Sequence, residues 1–496
     1  MKVRWELALL ALLVGLAGGS AALLAGQAVS PHPLHWAGFG VDRMSISIGL
    51  LVAAVGAVTF RFSMRYLDGE PGRGRFLARL AFTVVSAYAF VLSDHLLVMF
   101  ACWSLTSLGL HGLLTHYPDR PEALRPARKK FLISRLGDVA LIAVIVLIGI
   151  HWGTLELGTF LAHARDTEAS ERAALGAVAV LIVIAAMTKS AQFPFHSWLP
   201  ETMEAPTPVS ALMHAGVINA GGVLVLRFSP VIVRVPLAML LLSLVGTMTV
   251  VVAMPAMWSQ VKVKRTLAWS TVGQMGFMMV QFGLAVFPAA WLHILGHGLY
   301  KAWSFLRTGG VAAAPPLSAA SPAQTLGLGL VGTLMAIPAL MVASRVTGFS
   351  PQDSPGETAL AAVVALSIGQ FWVAIFQGPA SGVRVIRIVG AIGGTYLAAL
   401  AAFALYRGAA IFLSPVIGPL PHPGGPLSRV AAAVPVAAIV GLLIMQALLP
   451  VLGRSSTGRA LYVHALNGFY FGVIADVVVD RVWVRLSRIR KGVQGA

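Results

Sequence analysis

Apolar runs of about 20 residues, the length that crosses a bilayer as a helix, recur along almost the whole chain, separated by short stretches of Arg, Lys, Pro and Gly. They fall near 7–26, 44–60, 79–93, 95–115, 131–150, 174–199, 206–228, 234–257, 266–286, 288–308, 324–344, 359–378, 384–408 and 428–451. The pattern predicts an all-α polytopic membrane protein with about fourteen transmembrane helices. The first run is longer than the apolar core of a signal peptide and lacks a convincing cleavage pattern, so it is expected to remain as a helix. A last, mixed segment, Leu461 to Leu486, carries Asp476, Asp480 and Arg481. It is expected to lie at an interface or against a partner rather than to span.

Composition agrees with the pattern: 57% of the 496 residues are hydrophobic and 11% charged, against about 25% charged in ordinary soluble domains. The net charge of +18 is spread over short loops, as the positive-inside rule requires, and does not point to nucleic acid. Arg61, Arg65, Arg73, Arg75 and Arg79 mark one expected cytoplasmic loop, and Arg120, Arg125, Arg128, Lys129 and Lys130 a second. The loop around Asp166, Glu168 and Glu171 is balanced in charge, and Lys262, Lys264 and Arg265 mark a third basic loop. This alternation places both termini in the cytoplasm. The tail residues Arg485, Arg488, Arg490 and Lys491 are then placed to meet anionic membrane lipid or a partner.

Against this background a few polar residues stand out. Lys189 ends an apolar run that is uncharged from Ala174 to Met187, and Pro194 then interrupts the helix. A lysine at membrane depth is unfavourable by roughly 2.5–3.5 kcal/mol on insertion scales, and such residues mark ion paths by default. Glu201 and Glu204 follow the break, placed either to orient Lys189 or to face an aqueous loop. His293, His297 and Lys301 are spaced by four, one stripe of a helix, and His titrates near neutrality. The stripe therefore reads as a proton wire. His214 fits the same polar axis. Arg135 and Asp138, three apart, can enter the membrane as an ion pair. Asp94 opens a span and marks its interface. Cys102 is the one cysteine, so neither a disulfide nor a cysteine-based metal centre is expected within the chain. The chain has no HExxH pattern, no P-loop and no GxGxxG following a strand, so cofactors are expected only on a partner.

The segments Lys189-Ser-Ala-Gln192, Trp198-Leu-Pro-Glu201, Ala205-Pro-Thr-Pro-Val-Ser-Ala-Leu-Met-His214, Lys264-Arg-Thr-Leu-Ala-Trp-Ser-Thr271 and His297-Gly-Leu-Tyr-Lys301 resemble the antiporter-like proton-translocating superfamily. That superfamily includes the L subunit of respiratory complex I and the large subunit of Mrp-type sodium/proton antiporters. The resemblance implies two inverted five-helix repeats with broken helices, and a central chain of Lys and His. It makes Lys189 the lysine of the first broken helix, Lys264 a lysine bordering the central region, and Lys301 the central lysine. His214, His293 and His297 connect them. The implied division is 1–93 for N-terminal helices, 94–257 for a first repeat broken at 189–200, 258–408 for a second, degenerate repeat, and 409–496 for a C-terminal helix and partner-facing tail.

Two departures matter. In Leu96-Leu-Val-Met-Phe-Ala-Cys-Trp-Ser104, the position where the family carries a glutamate holds Ser104. The second repeat has no lysine between Lys301 and Lys491; near Gly348 to Asp353 it offers only Gln352, Asp353 and Arg345. With Met213-His-Ala-Gly-Val-Ile-Asn-Ala-Gly-Gly222, these features look most like the DabB family, membrane subunits of two-component inorganic-carbon accumulation systems. That resemblance implies a DabA-like zinc partner similar to β-carbonic anhydrases, and a cation flow, of protons by preference, that drives CO2 hydration on it. On this reading the chain is a transporter subunit of the inner membrane, not an enzyme. A subunit of a complex I-like or Mrp-like assembly, and a membrane anchor that no longer transports, are the alternatives.

Overall fold

The computed structural model describes residues 2–29, 32–166, 169–310, 321–378, 384–421 and 424–494. Glu168 and the side chains of Arg485, Arg488, Arg490 and Lys491 lie outside the described residues.

Helix α1 (Lys2–Val29) leads into an antiparallel hairpin, β1 (Leu34–Trp36) and β2 (Phe39–Val41). Four long helices follow: α2 (Arg43–Tyr66), α3 (Arg73–Leu92), α4 (Leu96–Leu114) and α5 (Pro121–Trp152). A short α6 (Leu157–Arg165) precedes α7 (Arg172–Lys189). The chain then breaks into α8 (Trp198–Glu201), α9 (Thr207–Ala215), α10 (Ala220–Arg227) and α11 (Ser229–Ile232). Long helices resume with α12 (Pro236–Trp258), α13 (Val263–Gly283) and α14 (Phe287–Leu306). After them come α15 (Pro322–Thr347), α16 (Pro355–Gln377), α17 (Arg384–Ile417) and α18 (Pro426–Leu452). A bent pair, α19 (Ser456–Leu466) and α20 (Phe471–Gln494), closes the chain.

Local chemistry sets many of these ends. Asp42 caps α2, its side chain accepting from the Ser45 amide while the Ser45 hydroxyl accepts from the Asp42 amide, which satisfies two otherwise orphaned donors. Ser321, Ser354 and Ser455 cap α15, α16 and α19 in the simpler way.

Among the described residues twelve helical segments are long and apolar enough to cross a membrane, or thirteen with the bent C-terminal pair. Twelve of the expected runs coincide with them. The other two runs are α13 and α14, which carry Lys264, Gln281, His293, His297 and Lys301. Their polar residues lower their mean hydropathy, and both pack inside the bundle, α13 on α12 and α14 on α9. The segment Thr207–Arg227 is the innermost span, 94% of its most apolar window being buried, against 17% for α18. One apolar core unites residues of the helices from α1 to α14; a smaller one gathers residues of α15 to α18 with the end of α13.

The basic residues Arg73, Arg120 and Lys264 collect at one end of the bundle, where Arg73 forks onto Glu6 at 2.9 Å and Arg120 meets Glu204 at 3.5 Å. The hairpin, Asp94 and Glu156 occupy the other end, joined by bridges from Phe39 to Ser93 and from His95 to Glu156. The sequence assigned Lys129 and Lys130 to the basic loop before residue 131. They belong instead to α5, which Pro121 starts two and a half turns earlier, and both are buried.

Candidate functional site

Lys189 is the last residue of α7 and is 5% exposed. Its ammonium donates to the Trp103 carbonyl at 2.9 Å and to the Ser107 hydroxyl at 2.8 Å. It also lies 4.2 Å from the Trp103 ring centroid, within reach of a cation–π attraction. The Trp103 indole in turn donates to Asp138 at 3.1 Å, and the second Asp138 oxygen takes Arg135 at 2.8 Å. Arg135 and Asp138 thus form the pair the spacing predicted. Ser104, one residue from Trp103, contributes nothing here: its buried hydroxyl has no hydrogen-bond partner among the described residues. Ser107, one turn on, receives Lys189 instead. Among the described residues no carboxylate stands within ion-pair distance of Lys189, so its charge is solvated by neutral groups and a ring.

The break after Lys189 interlocks with a second break after His214. The Ser190 hydroxyl donates to the Ile218 carbonyl at 2.7 Å. Gly221 allows the approach, because a Cβ there would stand 2.4 Å from the Ser190 hydroxyl and 2.6 Å from the Ala186 carbonyl. A small cavity with about 20 Å³ of room for water centres joins Lys189 and Trp103 to Ala215, Asn219 and Ile294; one water needs roughly 10–15 Å³ on this measure. The buried Asn219 side-chain oxygen has no hydrogen-bond partner among the described residues.

His214 is fully buried, stacked on Phe305 of α14 at 4.4 Å, and neither ring nitrogen has a hydrogen-bond partner among the described residues. On α14 the predicted stripe forms. His293 bonds Gln281 at 2.8 Å, its ring lies 5.9 Å from that of His297, and neither His297 nitrogen has a hydrogen-bond partner among the described residues. Lys301, with no exposed surface, donates to the Leu267 carbonyl of α13 at 3.0 Å. A buried polar group without a partner is unfavourable by about 1–3 kcal/mol. A line of them from Asn219 through His214 to His297 therefore calls for water or a mobile proton along it. Lys264 sits one turn before Leu267, lining a cleft of about 530 Å³ with Lys262, Arg265, Glu204 and Tyr66. The cleft opens at the basic end of the bundle and puts Lys264 at the mouth of the axis rather than within it.

The remaining predicted residues are placed elsewhere. Glu201 does not orient Lys189; it accepts from Lys129 at 2.7 Å, beside Asp476 of α20 at 2.8 Å. Burial pushes the Glu201 carboxyl up and the Lys129 ammonium draws it back. Glu204 faces the cleft. Asp94 pairs with His35 of the hairpin at 2.8 Å, at the bundle's other end. Gln352 and Asp353 are exposed in the turn between α15 and α16, while the half-buried acid of this region is Glu357, which accepts from Tyr406 at 3.1 Å. Sequence reasoning passed over Ser107, Trp103, Gln281, Asn219 and Lys130. The helix-start signal of Pro121 was the one available hint that Lys129 and Lys130 are helical.

An all-helical bundle with two interlocked helix breaks, and with lysines and histidines lined up behind them, defines the antiporter-like class of membrane protein. The chain belongs to the NADH:quinone oxidoreductase/Mrp antiporter transmembrane family, whose model matches residues 93–377. It is 45% identical over 271 residues to the probable inorganic carbon transporter subunit DabB2 of Halothiobacillus neapolitanus, covering 54% of this chain and 49% of that one. Identity to the probable inorganic carbon transporter subunit DabB of Hydrogenovibrio crunogenus is 38% over 271 residues, 54% of this chain and 52% of the relative. The chloroplastic NAD(P)H-quinone oxidoreductase subunit 5 of Brachypodium distachyon is 33% identical over 304 residues, 60% of this chain and 41% of its own. The chain spans about half the length of the curated relatives it matches. A chain of the Mrp complex from Dietzia sp. DQ12-45-1b shares the fold at a TM-score of 0.55 and 24% identity, over 98% of this chain and 60% of that one.

Proposed function

We propose that this chain is the cation-translocating membrane subunit of an inorganic-carbon accumulation complex, with protons as the cation. The observation that carries the reading is the line Lys189, His214, His297 and Lys301: buried, titratable, and, among the described residues, without a carboxylate partner. Sodium sites favour oxygen ligands, which this line lacks. The likeness to subunits named for inorganic carbon transport supports inorganic carbon as the substrate; the reading adds a zinc-bearing partner that hydrates CO2, while this chain performs no chemistry on carbon. Each charge that crosses 100 mV releases about 2.3 kcal/mol, and 1.4 kcal/mol shifts an equilibrium tenfold. One proton therefore suffices to bias a near-neutral hydration step. In this arrangement the basic end of the bundle is cytoplasmic, and the subunit sits in the inner membrane.

Growth at ambient CO2 of a strain lacking other carbon uptake tests the reading. The intact pair supports growth, a protonophore abolishes it, and Lys301→Ala fails while still inserting. Uptake that persists in fully uncoupled cells refutes it. The fold likeness to the Mrp chain favours a second reading, a subunit of an Mrp-like or complex I-like assembly. Affinity purification from the native membrane separates the two: a zinc protein as companion supports the first, a set of small membrane subunits the second.

A further inference from the structure

Two adjacent lysines of α5 meet opposite surroundings. Lys129 has no exposed surface and is clamped by Glu201 at 2.7 Å, Asp476 at 2.8 Å and the Gly472 carbonyl at 3.2 Å. Its charge is balanced and its role is structural. Lys130 is 4% exposed, and the one hydrogen bond its ammonium makes among the described residues goes to the Ser107 carbonyl at 2.8 Å. The hydroxyl of the same serine takes Lys189 at 2.8 Å. A single residue thus holds two buried amines.

The charged and titratable groups facing Lys130 are Lys189 on α7, His111 on α4, and Arg135 and Asp138 on its own helix. Three cations therefore share one acid, and that acid already holds Arg135 and the Trp103 indole. Removing a charge from water without a partner is unfavourable by several kcal/mol, so the cluster is relieved when one lysine gives up its proton. Position gives the exchange a direction. Lys130 lies eight residues before Asp138 on α5, about 12 Å nearer the basic end at 1.5 Å per residue. It also neighbours Lys129, whose partners Glu201 and Asp476 are 29% and 38% exposed and so mark where water reaches.

We propose that Lys130 is a second proton-carrying residue of the path, passing protons between the aqueous basic end and Lys189 across Ser107. The Lys130 ammonium becomes an amine as the Lys189 amine becomes an ammonium; one proton moves and nothing is oxidised or reduced. The proposal rests on the reading of the chain as a proton-translocating subunit, and it adds a station that neither the motifs nor the spacing indicated.

The test uses the whole purified complex in proteoliposomes with a trapped pH dye, driven by a potassium diffusion potential. Lys130→Gln is expected to lower proton uptake about 100-fold, the scale of a lost proton-transfer group. Lys130→Arg keeps the charge and the donors but cannot release a proton, and it is expected to be equally inactive in a complex of unchanged yield and thermal midpoint. Lys130→His, able to carry a proton, retains part of the rate. A structural lysine behaves otherwise: Arg at that position would restore uptake, and that result overturns the proposal, as does full uptake by Lys130→Gln. If Lys130→Gln does not assemble, the Arg and His variants decide alone. Absence of uptake in the unsubstituted complex would instead overturn the transport reading itself.

Discussion

Replacing Lys129 by Met should release the C-terminal helix from the bundle. The lysine ties α5 to α8 through Glu201 and to α20 through Asp476 and the Gly472 carbonyl. Removing one partner of a buried ion pair costs about 3–5 kcal/mol, mostly because a charge is left without compensation. Glu201 and Asp476 keep 29% and 38% of their side-chain surface in water, so their loss falls at the low end, about 3 kcal/mol. At 1.4 kcal/mol per tenfold that is roughly a 100-fold shift in the docking equilibrium of α20. Packing of Phe471 on Phe193 at 5.0 Å and of Gly468 on Trp269 still holds the bend, so the effect is local. Hydrogen exchange of the protein in lipid nanodiscs reads it: amides of residues 473–483 should exchange about 100-fold faster, with α12 unchanged. Adding Glu201→Gln and Asp476→Asn removes the stranded charges and should return most of the protection. Unchanged exchange in the Lys129→Met protein would show that the ion cluster does not hold α20, and the reasoning would fail.

Lys189→Ala and Lys301→Ala should each abolish carbon-dependent growth without loss of membrane insertion, while Gln352→Ala and Asp353→Ala, on an exposed turn, should be mild; equal damage at Asp353 would argue for a second path. Trp103→Phe keeps the ring under Lys189 but removes the donor to Asp138, a bond to a charged group of about 1.5–3 kcal/mol, and proton uptake should fall further than protein abundance on immunoblots. Gly221→Ala places a Cβ 2.6 Å from the Ala186 carbonyl, overpacking of about 1–3 kcal/mol, and should lower the thermal midpoint of the purified protein measurably.

Much of the candidate site was legible because membrane insertion penalises charge. Lys189, His214, His297 and Lys301 stood out as polar residues in apolar runs, and the structure buries all four. The four-residue spacing of the α14 stripe carried over unchanged, since a helix converts spacing into a shared face. Glu201 stayed open between two roles for a different reason: its partner, Lys129, lies 72 residues away in the chain, and no local pattern reports such a pairing. Ser107 was invisible on similar grounds, being an ordinary serine until the end of α7 meets the middle of α4.

By itself the sequence determined the helical class, the places where helices run, and which side chains are too polar for their surroundings, because hydropathy and periodicity are properties of short segments. Only the tertiary structure decided which polar groups of different helices meet. Lys129 and Lys130 make the division plain. They are identical and adjacent, yet at 3.6 residues per turn successive side chains point about 100° apart. One therefore turns toward two carboxylates and the other toward a serine that already holds Lys189. What lies in those two directions is set by α4, by α7 with α8, and by α20, brought together from three distant parts of the chain.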